Sequence, residues 1–157
     1  MIERKVGNLL DVTEGFIVHG CNSKGVMGKG VALSIKNKWP QVFNEYRKVY
    51  ENQGKLLYLG TCVPVRISDK LVVVNAITQK CYAGCPGSGN TKRFVSYGAI
   101  LDCFNSINNF DIVYPDVPKQ LHFPEIGAGL GGGDWSMISD IIDQSVHNFS
   151  KTVWVLP

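Results

Sequence analysis

Short β-rich runs alternate with segments of helical periodicity along almost the whole chain. Residues 16–19 form an apolar run ended by Gly20, which predicts a buried strand. A helix is predicted over 31–38, and Pro40 opens a second helix whose apolar residues recur at i, i+3, i+4 and i+7 spacing. This alternation is typical of a three-layer α/β domain, in which helices cover both faces of one sheet.

The same pattern continues to the end of the sequence. Strands are predicted at 56–65, 70–77, 121–123 and 152–156, and helices at 94–107 and 135–148. Segments 83–90 and 114–120 are rich in Gly, Pro, Ser, Asn or Asp and are predicted loops. Because no linker, repeat or low-complexity segment interrupts the pattern, we expect a single domain over residues 1–157.

The composition excludes several classes of protein. The 157 residues are 45% hydrophobic and 18% charged, which is typical of a globular domain. A formal net charge of +3 permits an anionic ligand without requiring nucleic acid. No apolar run approaches the ~18 residues of a membrane-spanning helix. No signal peptide is visible either, so we expect a cytoplasmic protein with no membrane partner.

The cysteines are odd in number and scattered along the chain. They are Cys21, Cys62, Cys81, Cys85 and Cys103. This distribution predicts free thiols in a reducing compartment rather than a disulfide framework. Cys81 and Cys85 are spaced as two zinc ligands can be, but a complete site needs two more ligands nearby, and the histidines are distant. We therefore expect no metal and no cofactor.

Glycines are concentrated in two segments, which we call the first loop (20–31) and the second loop (126–133). Each follows a predicted strand and precedes a predicted helix, which is where ligands bind in open α/β sheets. Glycine lets the backbone approach a phosphate closely and direct successive N–H groups at it. Together the loops predict a clamp around a diphosphate; the alternative is that both are only tight turns.

Two common phosphate-binding motifs do not fit these loops. A P-loop requires glycine at the position of Ser23 and a serine or threonine at the position of Gly30. In the second loop, Gly127, Gly129 and Gly132 satisfy G-x-G-x-x-G, but that motif belongs in the first strand–helix–strand unit of a dinucleotide-binding fold. Its place near the end of this chain argues against a dehydrogenase.

Three segments resemble the macrodomain family and occur in the order found there: GNLLDVTEGFIVHGCNSKGVMGKGVALSIKNKWP, VVVNAITQKCYAG and FPEIGAGLGGGDW. The resemblance is closest to the branch that contains ADP-ribose 1″-phosphate phosphatases and DNA or protein ADP-ribosyl-hydrolases. It extends from about Gly7 to the last predicted strand. It implies a three-layer α/β/α macrodomain with a mixed, largely parallel sheet, and ADP-ribose as the ligand.

The resemblance also implies a role for individual residues. Asn8 and Leu9 match the positions that meet adenine; most macrodomains have aspartate at the first, and asparagine keeps an acceptor oxygen there. Gly20, Cys21 and Asn22 match the positions that line the distal ribose. The residues that match the two diphosphate loops are Gly28, Lys29, Gly30 and Val31, followed by Ile126, Gly127, Ala128, Gly129, Leu130, Gly131 and Gly132.

Three residues are predicted to be catalytic: Asn22, Asn75 and Asp134. Close to phosphate, Asp134 would have a raised pKa and act as a proton donor, although it is equally well placed to cap the last helix. Asn75 interrupts an apolar strand, so its buried amide needs partners; it resembles a residue that faces the distal ribose. His19 is either a core histidine or a ligand contact, and Tyr82 is a further candidate.

The resemblance implies three alternative functions. The prediction is a phosphatase that converts ADP-ribose 1″-phosphate to ADP-ribose and phosphate without a metal, acting as a monomer. The first alternative is an ADP-ribosyl-hydrolase acting on ADP-ribosylated protein or DNA. In such enzymes a lysine directly follows the threonine that matches Thr78, and an acidic residue occupies the position of Gly131. This chain has Gln79 directly after Thr78, and Lys80 comes one position later. The second alternative is a non-catalytic ADP-ribose reader, because readers and enzymes share their binding groups.

Overall fold

The computed structural model describes residues 1–157 and contains one six-stranded sheet. Its strands are β1 (Ile2–Val6), β2 (Gly15–Asn22), β3 (Cys62–Arg66), β4 (Leu71–Gln79), β5 (Gln120–Phe123) and β6 (Ser150–Val155). Their order across the sheet is β1-β6-β5-β2-β4-β3. All neighbouring strands are parallel except β3 and β4, which are antiparallel. The prediction of a mixed, largely parallel sheet is therefore confirmed.

Five helices and one 3-10 turn connect the strands. They are the turn Leu9–Asp11 and helices α1 (Gly30–Lys38), α2 (Pro40–Asn52), α3 (Tyr97–Ile107), α4 (Phe110–Val113) and α5 (Trp135–Ser145). Pro40 stands at the first position of α2, where its missing N–H is not needed. Ser96 caps α3 by accepting a hydrogen bond from Ala99 N at 3.1 Å. None of these helices combines the length and the apolar character needed to cross a bilayer.

Helices cover both faces of the sheet. Alternate residues of the central strands point in opposite directions, so their apolar side chains contact helices on both faces. Phe16 and Val18 belong to the larger core cluster, which includes residues of α3 and α5. Ile17 and Cys21 belong to two smaller clusters with residues of α1 and α2. Strands β2 and β4 are thus buried on both faces, which explains their almost continuous apolar sequences and makes the polar Asn75 within β4 conspicuous.

Several predicted boundaries are wrong, each for a local reason. The strand predicted at 56–65 begins only at Cys62, because Gly60 turns the chain with φ of 84° and Leu57 N donates to Ser23 O at 3.2 Å. The helix predicted at 135–148 ends at Ser145, and Val146 is already extended. The helix predicted at 94–107 starts at Tyr97. Helix α4 was not predicted.

The prediction of five free cysteines is wrong for two of them. Cys81 and Cys85 form a disulfide, whereas Cys21, Cys62 and Cys103 are free. A turn in which Cys85 N donates to Tyr82 O at 3.1 Å brings the Cα atoms of Cys81 and Cys85 to 6.3 Å, a separation that a disulfide spans. The spacing of the two cysteines in the sequence does not reveal this turn.

Candidate ligand cleft

A cleft of about 380 Å³ opens where β2, β4 and β5 end, and both glycine-rich loops line it. The predicted ligand-binding residues that line it are Gly20, Cys21, Asn22, Gly28, Lys29, Gly30, Val31, Ile126, Gly127, Gly129, Leu130 and Gly131. Asn8, Leu9, Ala128 and Gly132 do not line it. A Cβ atom at Gly30 would lie 3.4 Å from Leu130 Cδ1, so the two loops approach each other across the cleft.

The first loop is held in place by side chains. Asn22 Nδ2 donates to Val26 O at 2.9 Å, and Asn22 Oδ1 accepts from Lys24 N at 2.9 Å. The hydroxyl of the buried Tyr46, on α2, donates to Asn22 O at 2.6 Å. Asn22 therefore folds the loop as well as lining the cleft, and one of its two amide hydrogens has no partner within the protein.

Helix α1 begins inside the first loop and directs its N-terminus at the cleft. Gly30, Val31 and Ala32 line the cleft, and their N–H groups have no acceptor within the helix. Lys29 occupies the N-cap position without a side-chain hydrogen bond and is exposed. The free amides and the helix dipole make this part of the wall favourable for an anion.

The second loop is held in place by its own backbone. Gly133 N donates to Gly127 O at 2.7 Å, and Gly131 O accepts from Phe94 N at 2.7 Å. Gly127 has φ of 75°, and a Cβ atom there would lie 2.6 Å from Val95 Cγ2. The segment at Val95, which precedes α3, thus packs so tightly against the second loop that no side chain fits at Gly127.

His19 and Asn75 form a buried pair at the floor of the cleft. His19 lines the cleft, and its Nε2 lies 2.6 Å from Asn75 Oδ1. Asn75 Nδ2 donates to Val42 O at 3.3 Å and to Val63 O at 3.2 Å, so the amide oxygen is the atom that faces His19. An oxygen can only accept, and we therefore assign the hydrogen of the imidazole to Nε2, with Nδ1 unprotonated.

The electrostatic environment keeps this floor neutral. Burial lowers the pKa of His19 from 6.5 to about 4, and the hydrogen bond with Asn75 only partly opposes that shift. The neighbouring Cys21 thiol, with Sγ 3.6 Å from His19 Nε2, has its pKa raised by burial. Cys21 is therefore a thiol at neutral pH rather than a nucleophilic thiolate.

Two of the three predicted catalytic residues do not line the cleft. Asn75 is completely buried on the α2 side of β4 and reaches the cleft only through His19. Asp134 is exposed, and its Oδ1 accepts from Ser136 N at 2.9 Å, which caps α5. The structure gives each of them a local contact: Asn75 Oδ1 faces His19, and Asp134 caps α5 as the alternative interpretation of the sequence has it. Their catalytic roles stay predictions. Asn22 lines the cleft, and its catalytic role stays a prediction.

Other residues of the cleft were not predicted from the sequence. They are Ala32, Gln79, Ala83, Pro124 and Glu125, whereas Val26 and Met27 belong to the predicted first loop and Tyr82 was already a candidate. Gln79, Pro124 and Glu125 end or directly follow β4 and β5, and proximity to the carboxyl ends of parallel strands was the signal available for them. Glu125 Oε2 lies 3.8 Å from a guanidinium nitrogen of Arg4.

Comparison with known proteins gives a consistent result. A family model described as the Macro domain matches residues 18–142. The ADP-ribose 1″-phosphate phosphatase of Saccharomyces cerevisiae is 23% identical over 160 residues, with 89% of each chain covered. The DNA ADP-ribosyl glycohydrolase of Mycobacterium bovis is 27% identical over 155 residues, which cover 96% of this chain but only 39% of that protein.

A solved structure shares the same fold. Thermosipho africanus DarTG, determined in complex with ADP-ribose, superposes with a TM-score of 0.78 and 19% identity. The match covers 99% of this chain and 42% of the DarTG chain. At this identity the likeness concerns the fold, and it agrees with the α/β/α architecture described above.

Proposed function

This chain belongs to the macrodomain family, and we propose that its cleft binds ADP-ribose and that it hydrolyses ADP-ribose 1″-phosphate to ADP-ribose and phosphate. The observation that carries the proposal is the pair of glycine-rich loops facing each other across one cleft, with the free amides of α1 in one wall. A diphosphate between these walls receives hydrogen bonds from backbone groups that need no rearrangement. The phosphatase activity named for the yeast relative and the ADP-ribose complex of DarTG agree with this ligand.

The strand order gives the ligand a direction. Asn8, the proposed adenine contact, follows β1 at one edge of the sheet, whereas β4 lies on the far side of β2. With the diphosphate between the loops, the distal ribose then points toward the end of β4, where Gln79 and Tyr82 line the cleft. The free amide hydrogen of Asn22 and the unprotonated Nδ1 of His19 provide a donor and an acceptor for ribose hydroxyls.

The proposed reaction requires little from the protein beyond positioning and charge. Water attacks the phosphorus atom, the bond between phosphorus and the 1″ oxygen breaks, and the released 1″ oxygen takes up a proton. Phosphoryl transfer passes through a loose transition state, so fixed donors around the phosphate contribute most of the acceleration. The unprotonated Nδ1 of the neutral His19, which lies 3.8 Å from Cys21 Sγ, is the proposed acceptor for the attacking water or for a ribose hydroxyl.

The reader alternative is favoured by one observation. Glu125 is the carboxylate that lines the cleft, and its nearest cation is Arg4, while Asp134 is used as a helix cap. A cleft without a free carboxylate near the distal ribose suits binding without turnover. The glycohydrolase alternative is disfavoured, because Gln79 lines the cleft where that branch of the family has lysine, and Lys80 lines a different cavity.

A pair of glycine variants tests the binding proposal. Gly30 and Gly54 both have positive φ, 60° and 73°, but only Gly30 lines the cleft. We expect Gly30→Ala to weaken ADP-ribose binding by about tenfold in calorimetry, because the methyl group narrows the cleft toward Leu130. Gly54→Ala serves as the matched control and keeps the wild-type affinity. Equal affinities for both variants and the wild type would contradict the proposed cleft.

Product analysis tests the reaction. The wild-type protein is incubated with ADP-ribose 1″-phosphate, and released phosphate is measured; a parallel incubation uses an ADP-ribosylated thymidine oligonucleotide. Release of phosphate alone supports the phosphatase. Release of ADP-ribose from the oligonucleotide indicates the glycohydrolase instead, and ADP-ribose binding without any release indicates the reader.

A further inference from the structure

A second cavity of about 400 Å³ lies beside the ligand cleft, and its charge is of one sign. Lys24, Lys80 and Arg93 line it, and no aspartate or glutamate does. We call it the basic cavity and define it by these three residues. Ser88 and Thr91, which bear hydroxyl groups, also line it, so the lining includes both charged and neutral hydrogen-bond donors.

The three cations of the basic cavity have no acidic partner. The ion pairs of the structure involve Met1, Arg4, Arg47 and Lys151, and none includes Lys24, Lys80 or Arg93. The guanidinium of Arg93 lies 5.0 Å from the centroid of the Tyr97 ring, which fixes its position without neutralising its charge. A concave surface lined by charges of one sign concentrates the electric field and attracts an anion.

One short segment separates the basic cavity from the ligand cleft. Gln79, Tyr82 and Ala83 face the cleft, whereas Lys80 and Cys81 face the basic cavity. We call residues 79–83 the dividing wall.

Three bonds hold the dividing wall in place. Gln79 Nε2 donates to Cys81 O at 2.7 Å, and Ser23 Oγ donates to Lys80 O at 2.9 Å. The disulfide joins Cys81 to Cys85. Because the wall is fixed in this way, Lys80 is held next to the end of the cleft that Gln79 and Tyr82 line.

We propose that the basic cavity binds a phosphate attached to the C1″ atom of ADP-ribose, either directly or as part of a larger substituent. This inference rests on the proposed function, because it uses the direction in which ADP-ribose lies, with its distal ribose toward β4. A substituent on C1″ then leaves the cleft past the dividing wall, and the charges beyond that wall match a phosphate. The phosphate has two sources: the monoester of ADP-ribose 1″-phosphate, or the phosphodiesters of an ADP-ribosylated nucleic acid strand.

A double variant tests the basic cavity against a matched control. Lys24→Gln with Lys80→Gln removes two charges from the cavity, whereas Lys48→Gln with Lys119→Gln removes two exposed charges elsewhere. We expect the first pair to weaken binding of ADP-ribose 1″-phosphate by about tenfold, read as Kd or as KM where the compound is turned over. Its affinity for ADP-ribose, which lacks the phosphate, stays within about twofold of wild type. The control pair changes neither value.

A single-stranded oligothymidylate separates the two sources of phosphate. If the natural ligand of the cavity is nucleic acid, the oligonucleotide binds the wild-type protein. The plot of log K against log salt is then less steep for the cavity variant than for the wild type, by about 0.7 for each phosphate contact that the variant loses. If the cavity serves the monoester, only ADP-ribose 1″-phosphate distinguishes that variant from the wild type. Both results support the basic cavity and differ in its natural ligand.

One result would refute the basic cavity and another would refute the proposed function, and the two results can be told apart. If ADP-ribose binds the wild type normally but neither phosphate-bearing ligand distinguishes the cavity variant from the control variant, the basic cavity is refuted and the cleft stands. If the wild type does not bind ADP-ribose, the proposed function is refuted. Oligothymidylate binding that depends on Lys24 and Lys80 would then still support a phosphate site in the basic cavity.

Discussion

The first and second loops form opposite walls of one cleft but are stabilised by different parts of the chain. The first loop depends on side chains, chiefly the amide of Asn22 and the hydroxyl of Tyr46. The second loop depends on bonds between its own backbone groups and on contact with the segment at Phe94 and Val95. A substitution therefore damages the first loop by removing a side chain and the second loop by adding one.

The largest expected effect is at Gly127 in the second loop. Gly127→Ala places a methyl group against Val95, and the alanine must adopt the positive φ of this position, which alanine disfavours. We therefore expect a loss of about 3 kcal/mol in the free energy of unfolding. Gly129→Ala is the matched control, because no atom lies within 4 Å of its Cβ position; it changes stability by about 0.5 kcal/mol or less. Urea denaturation measures both, and equal losses would show that the loop is not packed as described.

The pH dependence of stability tests the floor between the two loops. The pKa of His19 is 6.5 when unfolded and about 4 when folded, so the unfolded chain binds the extra proton between these values. Stability from this residue is complete above pH 6.5 and is lost as the pH falls toward 4. We expect the wild type to lose about 2–3 kcal/mol more than His19→Gln between pH 7 and pH 4.5.

Urea denaturation at the two pH values measures this difference. Burial also lowers the pKa of His122, so part of the pH dependence remains in His19→Gln. Identical losses in His19→Gln and the wild type would contradict the buried, neutral assignment of His19.

In the first loop, the hydroxyl of Tyr46 is the side-chain group with the most consequence. Tyr46→Phe removes the donor to the carbonyl of Asn22, so we expect a loss of about 2 kcal/mol in stability together with weaker ADP-ribose binding. Tyr50→Phe is the control, because its ring contacts Gly25 while its hydroxyl makes no hydrogen bond in the structure. Wild-type stability in Tyr46→Phe would show that the first loop does not need this side chain.

The smallest expected effect is at Asp134, which follows the second loop. Asp134→Ala removes the cap of α5 and should lower stability by about 1 kcal/mol, while ADP-ribose affinity and phosphate release persist. Asp134→Asn keeps a capping side chain and should restore the stability. Loss of phosphate release in both variants, with ADP-ribose binding intact, would instead make Asp134 catalytic.

The sequence predicts the architecture well, because period and turn chemistry are local properties. The alternation of strands and helices predicts the three layers, and the glycines at Gly30 and Gly127 mark the two loops that line the cleft. The directions in which individual side chains point are harder to predict from the sequence. Asn75 is conspicuous in the sequence, but strand register and the position of α2 decide that it faces His19 and does not line the cleft.

Contacts between distant segments account for the other errors. Residues 56–61 have strand-like composition, yet hydrogen bonds from this segment reach Ser23 and Ile77, and β3 starts later. The pairing of Cys81 with Cys85 depends on a turn within a segment predicted only as a loop. The basic cavity is equally non-local, since Lys24 and Arg93 come from separate connections.

The hydrogen-bonded imidazole beneath the cleft has a consequence for how ligand binding responds to acidity. A residue that stays uncharged from pH 5 to pH 8 adds no proton uptake or release when the nucleotide arrives. His19 then contributes no acidity dependence of binding in that interval, whereas a phosphate monoester on the ligand takes up its second proton near pH 6. Calorimetry in buffers of different ionisation enthalpy would show no linked protonation for ADP-ribose and a measurable one for its 1″-phosphate.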